Sequence, residues 1–216
     1  MPYDLLILDV IKSLAGAFFG ATLAFAFERW KKNREERNKR MNCCRITQFG
    51  LFCRVNTLTN ILRQYLTPQQ QNLNRWAELL PTLVVDEQPR IPLDELSFLL
   101  DNVEPNLLRD LYIAQTKYAL YIQIIRTRDR LHEDFQVDCK KGTAGENDKV
   151  VLTQLTDELY DEIQPTIDYL TAVHDRLADF MRKFFPGCNV LTFEMKEIEQ
   201  KISQGHSHYF GGKEGG

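Results

Sequence analysis

The pattern of apolar and polar positions divides the chain into three regimes. From Ser13 to Phe27 no residue is charged, and apolar or small side chains occupy every side of a helix. From Glu28 to Arg40 (ERWKKNREERNKR) the order reverses, and the helix is polar nearly all round. From Met41 onward the apolar residues recur mostly three, four or seven apart, as on a helix with one buried face. The stripe Met41, Cys44, Leu51, Val55, Leu58, Leu62 and Tyr65 predicts a single helix over Lys31–Leu66, ended by Thr67-Pro68. Gln48 falls on that stripe and Gly50 lies inside it.

Further along, Gln69–Leu80 reads as a short helix using Leu73, Trp76 and Leu79 or Leu80, stopped by Pro81. Thr82–Ile91 is irregular, with a few extended residues at 83–85, and Pro92 opens another short helix. The clearest helix starts at Pro105. Leu107, Leu111, Ala114, Tyr118, Tyr121 and Ile125 step 4, 3, 4, 3, 4, and the helix is expected to reach Phe135. Gln136–Asp148, with Gly142 and Gly145, is expected to be a loop. A second stripe runs from Leu152 to Phe184, and Pro165 is expected to kink or divide it. Thr192–Ser203 reads as a last amphipathic helix using Met195, Ile198 and Ile202. The predicted fold is all-α: an N-terminal transmembrane helix continuing into a long cytosolic helix, followed by an antiparallel helical bundle. The expected divisions are a transmembrane anchor (1–30), a basic juxtamembrane helix (31–40), the bundle (41–204) and a flexible tail (205–216).

The uncharged run of 15 residues is short for a span, since a helix crossing a bilayer core needs ~20. Extending back through Leu5 reaches that length and includes Asp9 and Lys12, one turn apart near the end. Trp30 stands at the other boundary, where an amphipathic ring is favoured. Arg29, Lys31, Lys32 and Arg34 begin the basic flank that follows, so the positive-inside rule puts the amino terminus outside and the rest of the chain in the cytosol. These residues form the expected membrane interface, with attraction to anionic lipid adding to the anchoring. A cleaved secretion signal is the main rival, because Ala24-Phe25-Ala26 resembles a cleavage site; an acidic n-region and the basic run argue against it. A buried helix of a soluble protein is the other. Gly16, Gly20 and Ala24 fall four apart, with Ala17 and Ala21 beside them, which is the small-residue face that lets two membrane helices approach.

Composition sharpens this picture only in part. The net charge of -3 gives no reason to expect direct nucleic-acid binding. The five cysteines match no disulfide or zinc spacing and read as reduced thiols. No HExxH, GxGxxG, P-loop or GxSxG motif occurs, so no catalytic constellation and no cofactor are implied. His132 and His174 read as structural histidines, His132 at a helix end, and His206 and His208 do not close a metal site. The carboxylates Asp157, Asp161 and Asp168 read as a solvated face. Lys117, Arg126, Arg128 and Arg130 form a candidate basic surface for an anionic partner, with surface ion pairs as the plainer account.

This order of features, a short span ending in ERWKKNREERNKR and then an all-helical part, resembles bacterial single-pass, N-out membrane proteins with a helical cytosolic domain. Some members of such groups are encoded beside antiphage-defence genes. The likeness is one of architecture, and it carries no site residues over. It implies an inner-membrane location. The function expected is a non-enzymatic, membrane-anchored protein that self-associates and engages a cytosolic protein partner, as a membrane-perturbing effector or sensor. The alternatives are a passive scaffold recruiting a partner enzyme and, last, an unrecognised hydrolase.

Overall fold

A computed structural model describes residues 3–82, 90–101 and 104–191, with side chains at Leu14 and from Gly16 onward. The extended residues expected at 83–85, the helix expected over Thr192–Ser203 and the tail lie outside the described residues. The described residues are helices and turns, with no strand among them. The chain divides into two compact units, Met1–Cys43 and Cys44–Gly216.

Helix α1 spans Tyr3–Ile61. In the first unit its described side chains are exposed as far as Arg40, with bulky Leu14, Phe18, Phe19, Leu23, Phe25 and Phe27 each 64–69% exposed. Among the described residues no helix is long and apolar enough to cross a membrane. The described part of the apolar run, Leu14 and Gly16–Phe27, would be ~20 Å long at 1.5 Å per residue, short of a bilayer core of ~30 Å. The extension through Leu5–Ile11 lies where the side chains are not described.

In the second unit α1 turns one face inward. Cys44, Leu51, Val55 and Leu58 are buried, as the stripe predicts, and so is Ile61, which lies outside it; Met41, Leu62 and Tyr65 are only partly buried. The helix does not stop at Thr67-Pro68. It widens into a π turn, Leu62–Leu66, and goes on as a helical turn α2, Thr67–Gln69. A proline ring clashes with the carbonyl four residues back, here that of Gln64, and a wider turn relieves the clash. The carbonyl of Leu66, at the end of this turn, accepts a hydrogen bond from the Tyr160 hydroxyl (2.9 Å).

The expected helix over Gln69–Leu80 shrinks to α3, Arg75–Glu78. Leu73 stands outside it and is 95% exposed, whereas Leu79 is buried. After Pro92 the chain forms turns and a short 3₁₀ helix, Ser97–Leu100, that buries Leu96 and Leu99.

Helices α4 (Pro105–Lys141) and α5 (Glu146–Phe184) form the centre of the bundle. Every residue of the 4-3-4-3-4 stripe is buried: Leu107, Leu111, Ala114, Tyr118, Tyr121 and Ile125. The loop expected over Gln136–Asp148 is helical at both ends and contracts to Gly142–Gly145. Gly142 adopts φ 74°, and the N–H groups of Gly142 and Thr143 return to the carbonyls of Cys139 (3.1 Å) and Asp138 (2.9 Å). That left-handed closure satisfies the last carbonyls of α4, next to Lys140 and Lys141. Asp148 accepts from the Gly145 N–H (3.1 Å) and opens α5. Pro165 lies on the exposed side of α5 and does not divide it.

Contacts along the bundle give its direction. Tyr121 meets Leu159 and Asp110 meets Arg176, so α4 and α5 are antiparallel. Gln48 meets Leu191 and Leu66 meets Tyr160, so α1 also opposes α5. The α1 segment therefore runs parallel to α4, so the antiparallel relation holds between α5 and each of the other two. The connection between them travels back along the bundle, from Trp76 beside Phe135 to Phe98 beside Phe180.

Two substitutions separate packing from backbone geometry. Leu111→Ala removes a fully buried side chain and is expected to cost about 2–5 kcal/mol. Gly142→Ala meets no neighbour within 4 Å, so only its left-handed φ is strained, at about 1–2 kcal/mol. Chemical denaturation of the two variants checks both values.

Candidate functional site

The first unit presents a helix largely divided by side-chain size. At 100° per residue the bulky Leu14, Phe18, Phe19, Leu23 and Phe25 occupy one half, whereas Phe27 falls between Gly16 and Gly20 on the other. Gly16, Gly20, Ala24, Ala17 and Ala21 occupy the other, all exposed, with nothing within 4 Å of a Cβ built at Gly16 or Gly20. Thr22 is the one polar side chain between Gly16 and Phe27, and its hydroxyl bonds its own helix at the Phe18 (2.9 Å) and Phe19 (3.0 Å) carbonyls. Such back-bonding leaves no donor seeking water. The run ends at Trp30, whose ring lies 5.9 Å from Phe27 on one side and under the Arg34 guanidinium (5.4 Å) on the other. Arg29, Lys31, Lys32 and Arg34 are all exposed, and Lys31 reaches Glu35 at 4.0 Å.

In the second unit the expected basic surface comes apart. Arg128 is fully buried (0% exposed), so it is no part of a partner surface. Arg126 and Arg130 are exposed, and Lys117 is half-buried with its ammonium 5.8 Å from the Tyr169 ring. Arg128 and His132 continue the α4 stripe beyond Ile125 by steps of three and four, which puts both in the interior. There they meet α3, which at four residues is too short to satisfy its own carbonyls. Arg128 donates to the Trp76 carbonyl (3.0 Å) and to Asp129 (3.1 Å). His132 lies 2.8 Å from the Ala77 carbonyl, which assigns the proton to Nε2. Asp129 in turn accepts from the Thr82 N–H (2.8 Å) and hydroxyl (3.0 Å). Burial lowers the proton affinity of the Arg128 guanidinium, and the Asp129 carboxylate acts against that.

Helix α5 holds the same short helix from the other side. Arg75 pairs with Asp157 (2.7 Å) and lies over the Tyr160 ring (4.5 Å). Asp157 is therefore a structural partner and not simply part of a solvated face. Two other polar contacts were not anticipated. Gln48 grips both backbone groups of Leu191, donating at 2.8 Å and accepting at 3.2 Å. Buried Asp110 binds Arg176 and Arg109. Both lay on helical faces whose period was visible, but polar residues there were not counted as interior.

The histidines are structural. His132 is not at a helix end, since α4 continues to Lys141. His174 is buried, with Nδ1 3.1 Å from Asp175. Desolvation lowers its pKa, outweighing the neighbouring carboxylate. Burial likewise raises the Tyr121 phenol, which stays protonated and donates to the Leu159 carbonyl (3.0 Å). No group of three or more potential metal ligands gathers among the described residues, and His206 and His208 lie outside them. The five cysteines form no disulfide; Cys43 and Cys44 are buried and Cys139 is exposed. A cavity of about 190 Å³ opens near the ends of α4 and α5, lined by Glu104, Leu107, Arg176, Asp179, Phe180 and Lys183 among others. Its charges are of both signs, and no nucleophile–base pair faces it. No protein-family model matches the chain, and no curated protein or solved structure does.

Removing one partner of a buried ion pair costs about 3–5 kcal/mol. Arg128→Ala is therefore expected to destabilise the bundle by that order and to open the 70–104 connection to limited proteolysis. His174 gives a pH signature. Its folded pKa lies below the unfolded value of about 6.5, so the unfolded state takes up the proton first. Stability should fall as the pH drops below about 6.5, and His174→Leu should flatten that decline in denaturation curves.

Proposed function

We propose that this chain is a non-enzymatic, membrane-anchored helical protein that self-associates through its first helix and engages a cytosolic protein partner through its bundle. One observation carries the anchor. Between Leu14 and Phe27 the helix exposes apolar or small side chains on every side, and its one hydroxyl is satisfied internally. Large exposed apolar surfaces of this kind mark a membrane or protein interface. The abrupt change at Trp30 to exposed Arg29, Lys31, Lys32 and Arg34 supports a membrane over a protein groove. In this reading the span begins near Leu5, its amino-terminal end faces outward, and the bundle lies on the cytosolic side of a bacterial inner membrane.

The small-residue side supplies the self-association surface. Gly16 and Gly20 have open space around them, so a larger residue blocks a partner helix without disturbing the chain's own packing. The architectural likeness to defence-linked membrane proteins favours a triggered effector or sensor. The passive scaffold is distinguished by function, because an effector depolarises the membrane on induced expression and a scaffold leaves a potential-sensitive dye unchanged.

Two experiments test the reading. The chain is expected to resist alkaline carbonate extraction from membranes. Phe19→Arg with Leu23→Arg should release it, each charge costing about 2.5–3.5 kcal/mol at mid-span. Release of the unaltered chain overturns the anchor. Gly16→Leu with Gly20→Leu is expected to keep membrane association and weaken the oligomer at least tenfold in membrane crosslinking; an unchanged oligomer contradicts the small-residue interface.

A further inference from the structure

The cytosolic half of α1 has a second face besides the one its own bundle covers. Ile46, Phe49, Cys53, Asn56 and Asn60 step 3, 4, 3, 4, the spacing of a coiled-coil seam. Ile46 and Phe49 are 54% and 53% exposed, Cys53 is partly exposed, and both asparagines are exposed. The inward stripe of Leu51, Val55 and Leu58 lies on the opposite side and is already buried. The helix thus carries a second seam along four turns, apolar at Ile46, Phe49 and Cys53 and polar but uncharged at Asn56 and Asn60, which the described residues leave uncovered.

We propose that a second copy of this chain covers this second seam, in a parallel pair of α1 helices. This rests on the self-association reading above and names the cytosolic surface that continues it. Copies inserted in one direction are parallel, and parallel pairing sets each seam residue beside its own counterpart. A charged seam would then repel itself, whereas all five of these residues are uncharged. The asparagines suit the same arrangement, since an asparagine in a seam pairs with its counterpart and fixes parallel register at some cost in stability. A different partner protein would place no such ban on charge.

Cys53 makes the pairing measurable. Cys43 and Cys44 are buried, so replacing Cys139 and Cys188 by serine leaves Cys53 as the reactive thiol. Oxidation of that full chain in its native membrane is expected to give a dimer on a non-reducing gel. The band should vanish with Cys53→Ser and fall at least tenfold with Phe49→Glu, which sets two carboxylates face to face at an exposed position that does not disturb the core. A dimer insensitive to both changes overturns the seam. So does a chain that runs as an oligomer on a native gel without Cys53 crosslinking; there the self-association reading survives. A chain that is monomeric by both measures removes the two together.

Discussion

A guanidinium with no solvent exposure holds the bundle's return connection in place. Arg128 cannot be left inside without partners, because an unpaired buried charge costs several kcal/mol. Its partners are the Trp76 carbonyl and Asp129, and Asp129 reaches on to Thr82. His132 takes the next carbonyl, and Arg75 crosses to Asp157 on α5. A four-residue helix that could not stand alone is thereby fastened to both long helices. Because it is fastened, the chain can return along the bundle, and α1 can run beside α4 in the same direction. The polar network has a directional role that apolar packing of the stripes would not supply.

The two units are governed by opposite rules. In the bundle the inward stripes of α1, α4 and α5 are buried, and Arg128, His132 and Tyr121 inside it reach carbonyls or a carboxylate. In the first unit the bulky side chains from Leu14 to Phe27 are left exposed by the described residues, and the hydroxyl of Thr22 turns back on its own helix. The proposed anchor rests on this contrast, since lipid favours a helix that is apolar on every side and water does not. The face of Gly16, Gly20, Ala24, Ala17 and Ala21, with Phe27 at its lower end, adds a direction to the proposed preference. Helices in a bilayer associate through close backbone approach, because burying leucine there gains nothing over lipid. The outward seam at Ile46, Phe49 and Cys53 extends the same logic into water, where apolar burial again contributes.

Much of the bundle was legible in the sequence. The α4 stripe from Leu107 to Ile125 and the inward face of α1 follow from period alone. The errors came where charge was taken to mean surface. Arg128 and His132 continue the α4 stripe without a missed step, yet their polarity suggested an exposed patch and a helix end. Polar composition likewise suggested a long loop at Gln136–Asp148, where the glycine closure at Gly142 lets the helix run on to Lys141. Leu73 shows the reverse fault, an apolar residue assigned to a buried face and found almost fully exposed. Pro68 was read as a stop, but a π turn absorbs the clash. The connection's path was hidden because it depends on carbonyls of Trp76 and Ala77, which no side-chain pattern reports. The cluster Arg29, Lys31, Lys32 and Arg34 and the four-residue spacing of Gly16, Gly20 and Ala24 depend only on residue identity and helical spacing.

The most direct test of the anchored reading is a topology measurement on the full chain. Asp4→Cys and the native Cys139, which is exposed, are each probed in intact spheroplasts with a membrane-impermeant thiol reagent. The account predicts labelling of residue 4 from outside, and labelling of Cys139 only after the membrane is permeabilised. Equal reactivity of the two positions before permeabilisation, or protection of both, would contradict it.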